Sequence, residues 1–128
     1  MINPETLLRE SKTFAVLGVN QDPESYANLI LKKLRDKGKT AYPVNPKYPS
    51  LFNETVYPNL EDTPSSCEVV VFVVNPHIGI HYLQSVKDLG VKAIWLQPGT
   101  ISDELLLKAK ELEIDVVEAC VLVVSQYL

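Results

Sequence analysis

The 128 residues are 46% hydrophobic and 22% charged, which excludes a disordered chain and leaves room for one domain, over 1–128, with a sizeable core. A formal charge of −4 excludes a general nucleic-acid binder, because phosphate contacts need a cationic surface. The longest strongly apolar run, "VVVFVVNP", is too short to span a bilayer. Cys67 and Cys120 are too few for a disulfide framework, and "MINPETLLRESK" has neither the basic nor the apolar region of a signal peptide. These features predict a soluble cytoplasmic protein with no membrane partner.

In chain order, "TFAVLG" (13–18) reads as a strand ending in glycine, and "SYANLILKKLRDKG" (25–38) as a helix stopped by Gly38. That helix should turn Ala27, Ile30, Leu31 and Leu34 inward. "TAYPV" (40–44) is a strand with Pro43 near its end. The stretch 45–66, rich in proline and turn formers, reads as a loop with one helical turn in place of a crossover helix. "CEVVVFVV" (67–74) has no alternation and suits a strand buried on both faces. "IGIHYLQSVKDLG" (78–90) reads as a helix with Ile78, Tyr82, Val86 and Leu89 in register. "KAIWLQPG" (92–99) is a strand running into a turn, and Ser102 caps a helix over 102–113 with Leu105, Leu106, Ala109 and Leu112 inward. "DVVEA" (115–119) is the fifth strand, and the apolar tail "VLVVSQYL" packs down or mediates homo-oligomer formation.

Strands alternating with helices, and reading as continuous apolar runs, predict an α/β fold: a compact, Rossmann-like, three-layer domain with a five-stranded parallel sheet. Ligands of such sheets lie across the carboxyl ends of the strands. The residues to weigh are therefore Gly18-Val19-Asn20, Asn45-Pro46-Lys47, Asn75-Pro76-His77, Gln97-Pro98-Gly99 and Ala119-Cys120.

The turn after the first strand can present backbone N–H groups and a helix N-terminus to a phosphate, although it lacks two glycines of GxGxxG. A dinucleotide site with an unmodified ribose places a carboxylate after the second strand; this chain has Asn45 with Lys47 nearby. An amide and a cation favour a ribose that carries a phosphate. Two nucleotides fit, coenzyme A with its 3′-phosphate and NADP with its 2′-phosphate.

The elements "LGVN" (17–20), the helix at 25–38, "YPVNP" (42–46), "VYPNLEDTP" (56–64), "VVVFVVNP" (69–76), "WLQPG" (95–99) and "EACVLVV" (118–124) follow one another in an order that resembles the small stand-alone CoA-binding domain family. That family is related to the CoA-binding domain of the succinyl-CoA synthetase α subunit and of ADP-forming acyl-CoA synthetases. The resemblance implies non-catalytic binding of CoA or acyl-CoA, as a sensor, a delivery module or the partner of a CoA-using enzyme. It implies that Gly18, Val19 and Asn20 hold the pyrophosphate, with Tyr26 and Asn28 in the adjoining helix start. Asn45, Pro46 and Lys47 would line the 3′-phosphate end, Val74, Asn75 and Pro76 the wall beside the nucleotide, and Gln97 and Gly99 the exit of pantetheine. The chain departs from the family pattern at Ala27, where a glycine is common, at Asn53, and at Ala119 and the residues after Cys120, where an Arg and a Glu are usual.

The remaining candidates have plainer readings. His77 and His81 are spaced as a metal pair but lack a third ligand. Cys120 has no adjacent cation to activate it, Trp95 belongs in the core, and Glu118 is a carboxylate without a partner. Gln97, polar at a strand end, should face the crevice. The alternatives are an NADP-dependent oxidoreductase, for which 128 residues leave little room, and the CoA-binding half of an acyl-CoA ligase system.

Overall fold

The structure, a computed structural model, describes residues 2–128. Strands β1 (Thr13–Leu17), β2 (Thr40–Val44), β5 (Val69–Phe72), β6 (Ala93–Leu96) and β7 (Val116–Glu118) form one sheet in the order β2-β1-β5-β6-β7. Every pairing in it is parallel. The chain leaves β1 toward one edge to make β2, then returns past β1 to make β5 and works toward the other edge. The strand order therefore reverses between β1 and β5, the point where open α/β sheets bind ligands.

The apolar runs are buried on both faces, as a sheet covered by helices on each side requires. Alternate residues separate into two cores. On one face Phe14, Val16, Val69, Val71 and Trp95 pack with helices α1 (Pro4–Glu10), α2 (Tyr26–Asp36) and α6 (Val121–Val124). On the other, Ala15, Leu17, Val70, Phe72, Ile94 and Leu96 pack with α4 (Leu83–Asp88) and α5 (Asp103–Glu111). In α2 the inward residues are Ala27, Ile30 and Leu34, and the Ser25 hydroxyl accepts from the Asn28 N–H as its N-cap. Pro43 sits on the edge strand β2, where its missing donor costs least.

Three segments differ from the sequence expectation. The helix expected over 78–90 is broken into α3 (Pro76–Gly79), a 3₁₀ turn at Ile80–Tyr82 and α4. Its inward face is Leu83 and Val86, while Ile78 and Leu89 are exposed. The break follows from packing: Gly79 lies against the Phe72 ring, where an added β-carbon would be 3.0 Å from Cδ2, so the backbone drops onto the sheet before the helix continues.

The stretch after β2 carries the expected helical turn, 3₁₀ at Leu60–Asp62, but also a small hairpin, β3 (Ser50–Leu51) with β4 (Glu54–Thr55). Arg35 holds that hairpin to α2 and β2. Its guanidinium pairs with Glu54 and donates to the Ala41 carbonyl. Helix α1 was not expected; Asn3 caps it through the Thr6 N–H and Pro4 opens it. The apolar tail packs on α1 and α2 through α6.

Candidate functional site

The loops that follow β1, β2, β5 and β6 converge at the carboxyl edge of the sheet. Gly18 ends β1 with φ +107°, a conformation that side chains disfavour, and its α-carbon faces the chain after β5. A β-carbon there would lie 2.9 Å from the Val73 carbonyl carbon and 3.0 Å from Val74 Cγ1. Glycine thus lets the β1 and β5 loops touch, which makes the floor of the crevice.

The β1–α2 loop is held by amide side chains. Asn28 Nδ2 donates to the carbonyls of Asn20 (2.7 Å) and Asp22 (2.6 Å), and Asn28 Oδ1 accepts from the Asn20 N–H at 3.4 Å. Asn20 Oδ1 accepts from the Asp22 N–H at 2.9 Å, which closes an Asx turn. Asn28 is therefore a brace for the loop. Val19 is buried in the core, so only its backbone reaches the crevice. Tyr26 and Ala27, the first two residues of α2, have N–H groups without an intrahelical acceptor by virtue of their position. The Ala27 methyl is packed in the core, so it does not narrow the approach to those N–H groups.

After β2, Asn45 Nδ2 donates to the Val19 carbonyl at 2.9 Å and Asn45 Oδ1 accepts from the Lys47 N–H at 2.9 Å. One amide thereby joins the first and second loops and shapes the turn that presents Lys47. Pro46 and Lys47 are exposed. The Lys47 ammonium lies 5.6 Å from the centre of the Tyr48 ring and makes no ion pair among the described residues. Of the cations at 32–39, Lys32 pairs with Asp36, Arg35 with Glu54, Lys37 donates to the Leu128 carbonyl and Lys39 to the Arg9 carbonyl, while Lys33, on α2, makes no ion pair among the described residues.

After β5, Val74 borders Gly18, and Asn75 Oδ1 accepts from the His77 N–H at 2.9 Å to start α3 at Pro76. After β6, Gln97 is 4% exposed. Its Oε1 accepts from the Val121 N–H at 2.7 Å and its Nε2 lies 3.5 Å from Cys120 Sγ. Thr100 Oγ1 donates to the Gln97 carbonyl at 2.7 Å, and Gly99 turns the chain with φ +90°. Gln97 thus pins β6 to α6, and its amide also lines a cavity of about 150 Å³ with Tyr26, Val73, Pro98 and Cys120. The sequence reading did not single out Val73 or Thr100. Val73 was legible only as the end of an apolar run.

His77 and His81 are both exposed on the broken helix, and among the described residues no group of three His, Cys, Asp or Glu side chains is placed to hold a metal. Trp95 is fully buried and donates to the Ala119 carbonyl at 2.8 Å. A second cleft, about 270 Å³, lies toward the start of β5 and is bounded by Leu60, Glu61, Thr63, Cys67 and Leu89. Burial there pushes the Cys67 thiol up, partly offset by its contact with Thr63. None of Gly18 to Asn20, Asn45 to Lys47, Val74 to Pro76 or Gln97 to Gly99 lines that cleft. No described helix is long and apolar enough to cross a membrane.

Residues 12–126 match the CoA binding domain family over nearly the whole chain. The chain belongs to that family. A hypothetical protein from Pyrococcus horikoshii OT3 is 32% identical and superposes with a TM-score of 0.88, covering 96% of this chain and 87% of that one. A Thermus thermophilus protein, cell-free ID.343, is 30% identical with a TM-score of 0.85 over 95% and 93% of the two chains. Among curated relatives, the ADP-forming acetate–CoA ligase of Methanocaldococcus jannaschii is 28% identical over 105 residues. That region is 79% of this chain and only 15% of the ligase. This CoA binding domain thus corresponds to one segment of a much larger enzyme.

Proposed function

We propose that the protein binds coenzyme A, free or acylated, in the crevice between the β1 and β5 loops, and performs no chemistry on it. Family membership together with the convergence of four loops at the point of strand reversal carries this reading. The N–H groups around Gly18, Val19 and Asn20 and at the start of α2 receive the pyrophosphate. Asn28 keeps that loop in shape and Tyr26 flanks it. Asn45, Pro46 and Lys47 meet the adenosine 3′-phosphate, for which the unpaired Lys47 ammonium is the appropriate partner. Val74, Asn75 and Pro76 wall the nucleotide, and pantetheine leaves past Gln97 and Gly99.

In the cell such a module senses or delivers CoA, or docks with a CoA-using enzyme. The relation to one segment of an acetate–CoA ligase supports the last of these, since the matching region is only 15% of that ligase.

Calorimetric titration with CoA, dephospho-CoA and NADP tests the reading. CoA should bind best, dephospho-CoA about ten-fold more weakly, and Lys47→Ala should erase that difference. Tighter binding of NADP than of CoA would replace this reading with the oxidoreductase one.

A further inference from the structure

The cavity beside Gln97 has a chemistry of its own. It is lined by Tyr26, Val73, Pro98 and Cys120 together with Gln97. Its one strongly polar side chain, Gln97, has its oxygen committed to the Val121 N–H and its nitrogen directed at the Cys120 sulfur. No charged side chain lines it. A site with this lining offers little to a thiol or a carboxylate and favours a small apolar group, because a polar group buried without partners is penalised. Its volume is about 150 Å³, and an apolar cavity of about that size accommodates a ligand the size of benzene, roughly six carbons.

Building on the CoA reading above, in which pantetheine leaves past Gln97 and Gly99, we propose that this cavity receives the acyl tail of a short-chain acyl thioester. The preferred ligand is then CoA carrying an uncharged chain of about two to six carbons, rather than free CoA, a long-chain acyl-CoA or a dicarboxylic acyl-CoA. The neighbours of Cys120 in the chain, Ala119 and Val121, are apolar, which keeps that wall free of charge.

The test is a calorimetric series on the intact protein with CoA, acetyl-, butyryl-, hexanoyl-, decanoyl- and succinyl-CoA. Affinity should rise about three- to four-fold for each methylene buried from acetyl to hexanoyl, then gain nothing at decanoyl. Succinyl-CoA should bind no better than acetyl-CoA. Cys120→Trp, which fills the cavity, should flatten the rise, and Cys120→Met should shorten it; the series on the natural protein decides even where a variant folds poorly. If CoA binds and the acyl forms bind no tighter, the acyl cavity is wrong and the CoA site stands. A gain that continues unchanged to decanoyl-CoA, or that survives in a folded Cys120→Trp variant, overturns the cavity assignment too. If neither CoA nor any acyl-CoA binds, both the CoA site and the acyl cavity fall together.

Discussion

Gly18 and Val73 approach so closely that a β-carbon on Gly18 would overlap the Val73 carbonyl oxygen. Backbone cannot yield at this point without moving either β1 or β5, which are hydrogen-bonded to each other and to their outer neighbours. Gly18→Ala therefore combines a clash with a strained φ, at a cost of about 1–3 kcal/mol or more. Urea denaturation should register this as a lower midpoint, and CoA affinity should fall with it, because the loop that receives the pyrophosphate is displaced. A variant of unchanged stability would mean that the two loops do not meet in solution.

Gln97 has one job that is independent of any ligand. Its buried Oε1 is the acceptor for the Val121 N–H. In Gln97→Leu that N–H is left buried without a partner, a loss of about 1–3 kcal/mol. Hydrogen exchange should localise the effect, with faster exchange of the Val121 amide and little change in α5.

Asn28 separates bracing from contact. Asn28→Ala removes two donated bonds to the carbonyls of Asn20 and Asp22, at about 1 kcal/mol each, and loosens the loop. Asn28→Asp keeps the acceptor to the Asn20 N–H but places a carboxylate beside the proposed pyrophosphate. It should therefore weaken CoA binding more than the alanine does. Equal effects of the two on the dissociation constant would put the pyrophosphate elsewhere.

Cys67 gives a pH dependence with a definite sign. Burial holds its thiol above the ordinary range, against a smaller opposing effect of Thr63. The folded state then favours the protonated thiol, so its contribution is complete below the ordinary thiol range, about 8.5, and is lost as pH rises through the raised value. Tyr82, raised by burial, acts in the same direction at higher pH. Lys39, lowered chiefly by desolvation, acts oppositely and gains with rising pH. Denaturation midpoints at about pH 7.5 and about pH 10 should therefore drop less in Cys67→Ala than in the natural protein. An equal drop would show that Cys67 titrates alike in the folded and unfolded chains.

The sheet was legible in the sequence because its strands are apolar on both faces, and a run such as Val69–Phe72 has no other place to go. So was α2, whose Ser25 cap and inward Ala27, Ile30 and Leu34 agree with one another. The hairpin was not legible: its strands are two residues each, and its turn places Phe52 and Asn53 at φ +52° and +61°, without the glycine that announces such turns. The break at Gly79 depends on the Phe72 ring, a contact seven residues back that no local pattern reports. At the site, the positions of the polar residues could be read from the strand ends, but not their work. Asn28, Asn45 and Gln97 spend their amides on carbonyls, N–H groups and a thiol from other segments, and those partners exist only once the chain has folded. Helix α1 carries a readable signal in Asn3, which caps it, and Pro4, which opens it.

Amide chemical-shift mapping of the labelled protein titrated with CoA tests the central claim most directly. The CoA crevice predicts saturable shifts gathered at Gly18 to Asn20, Tyr26, Lys47, Val74, Asn75 and Gly99, with the Cys67 cleft silent. Shifts confined to that cleft, or none at millimolar CoA, would contradict it.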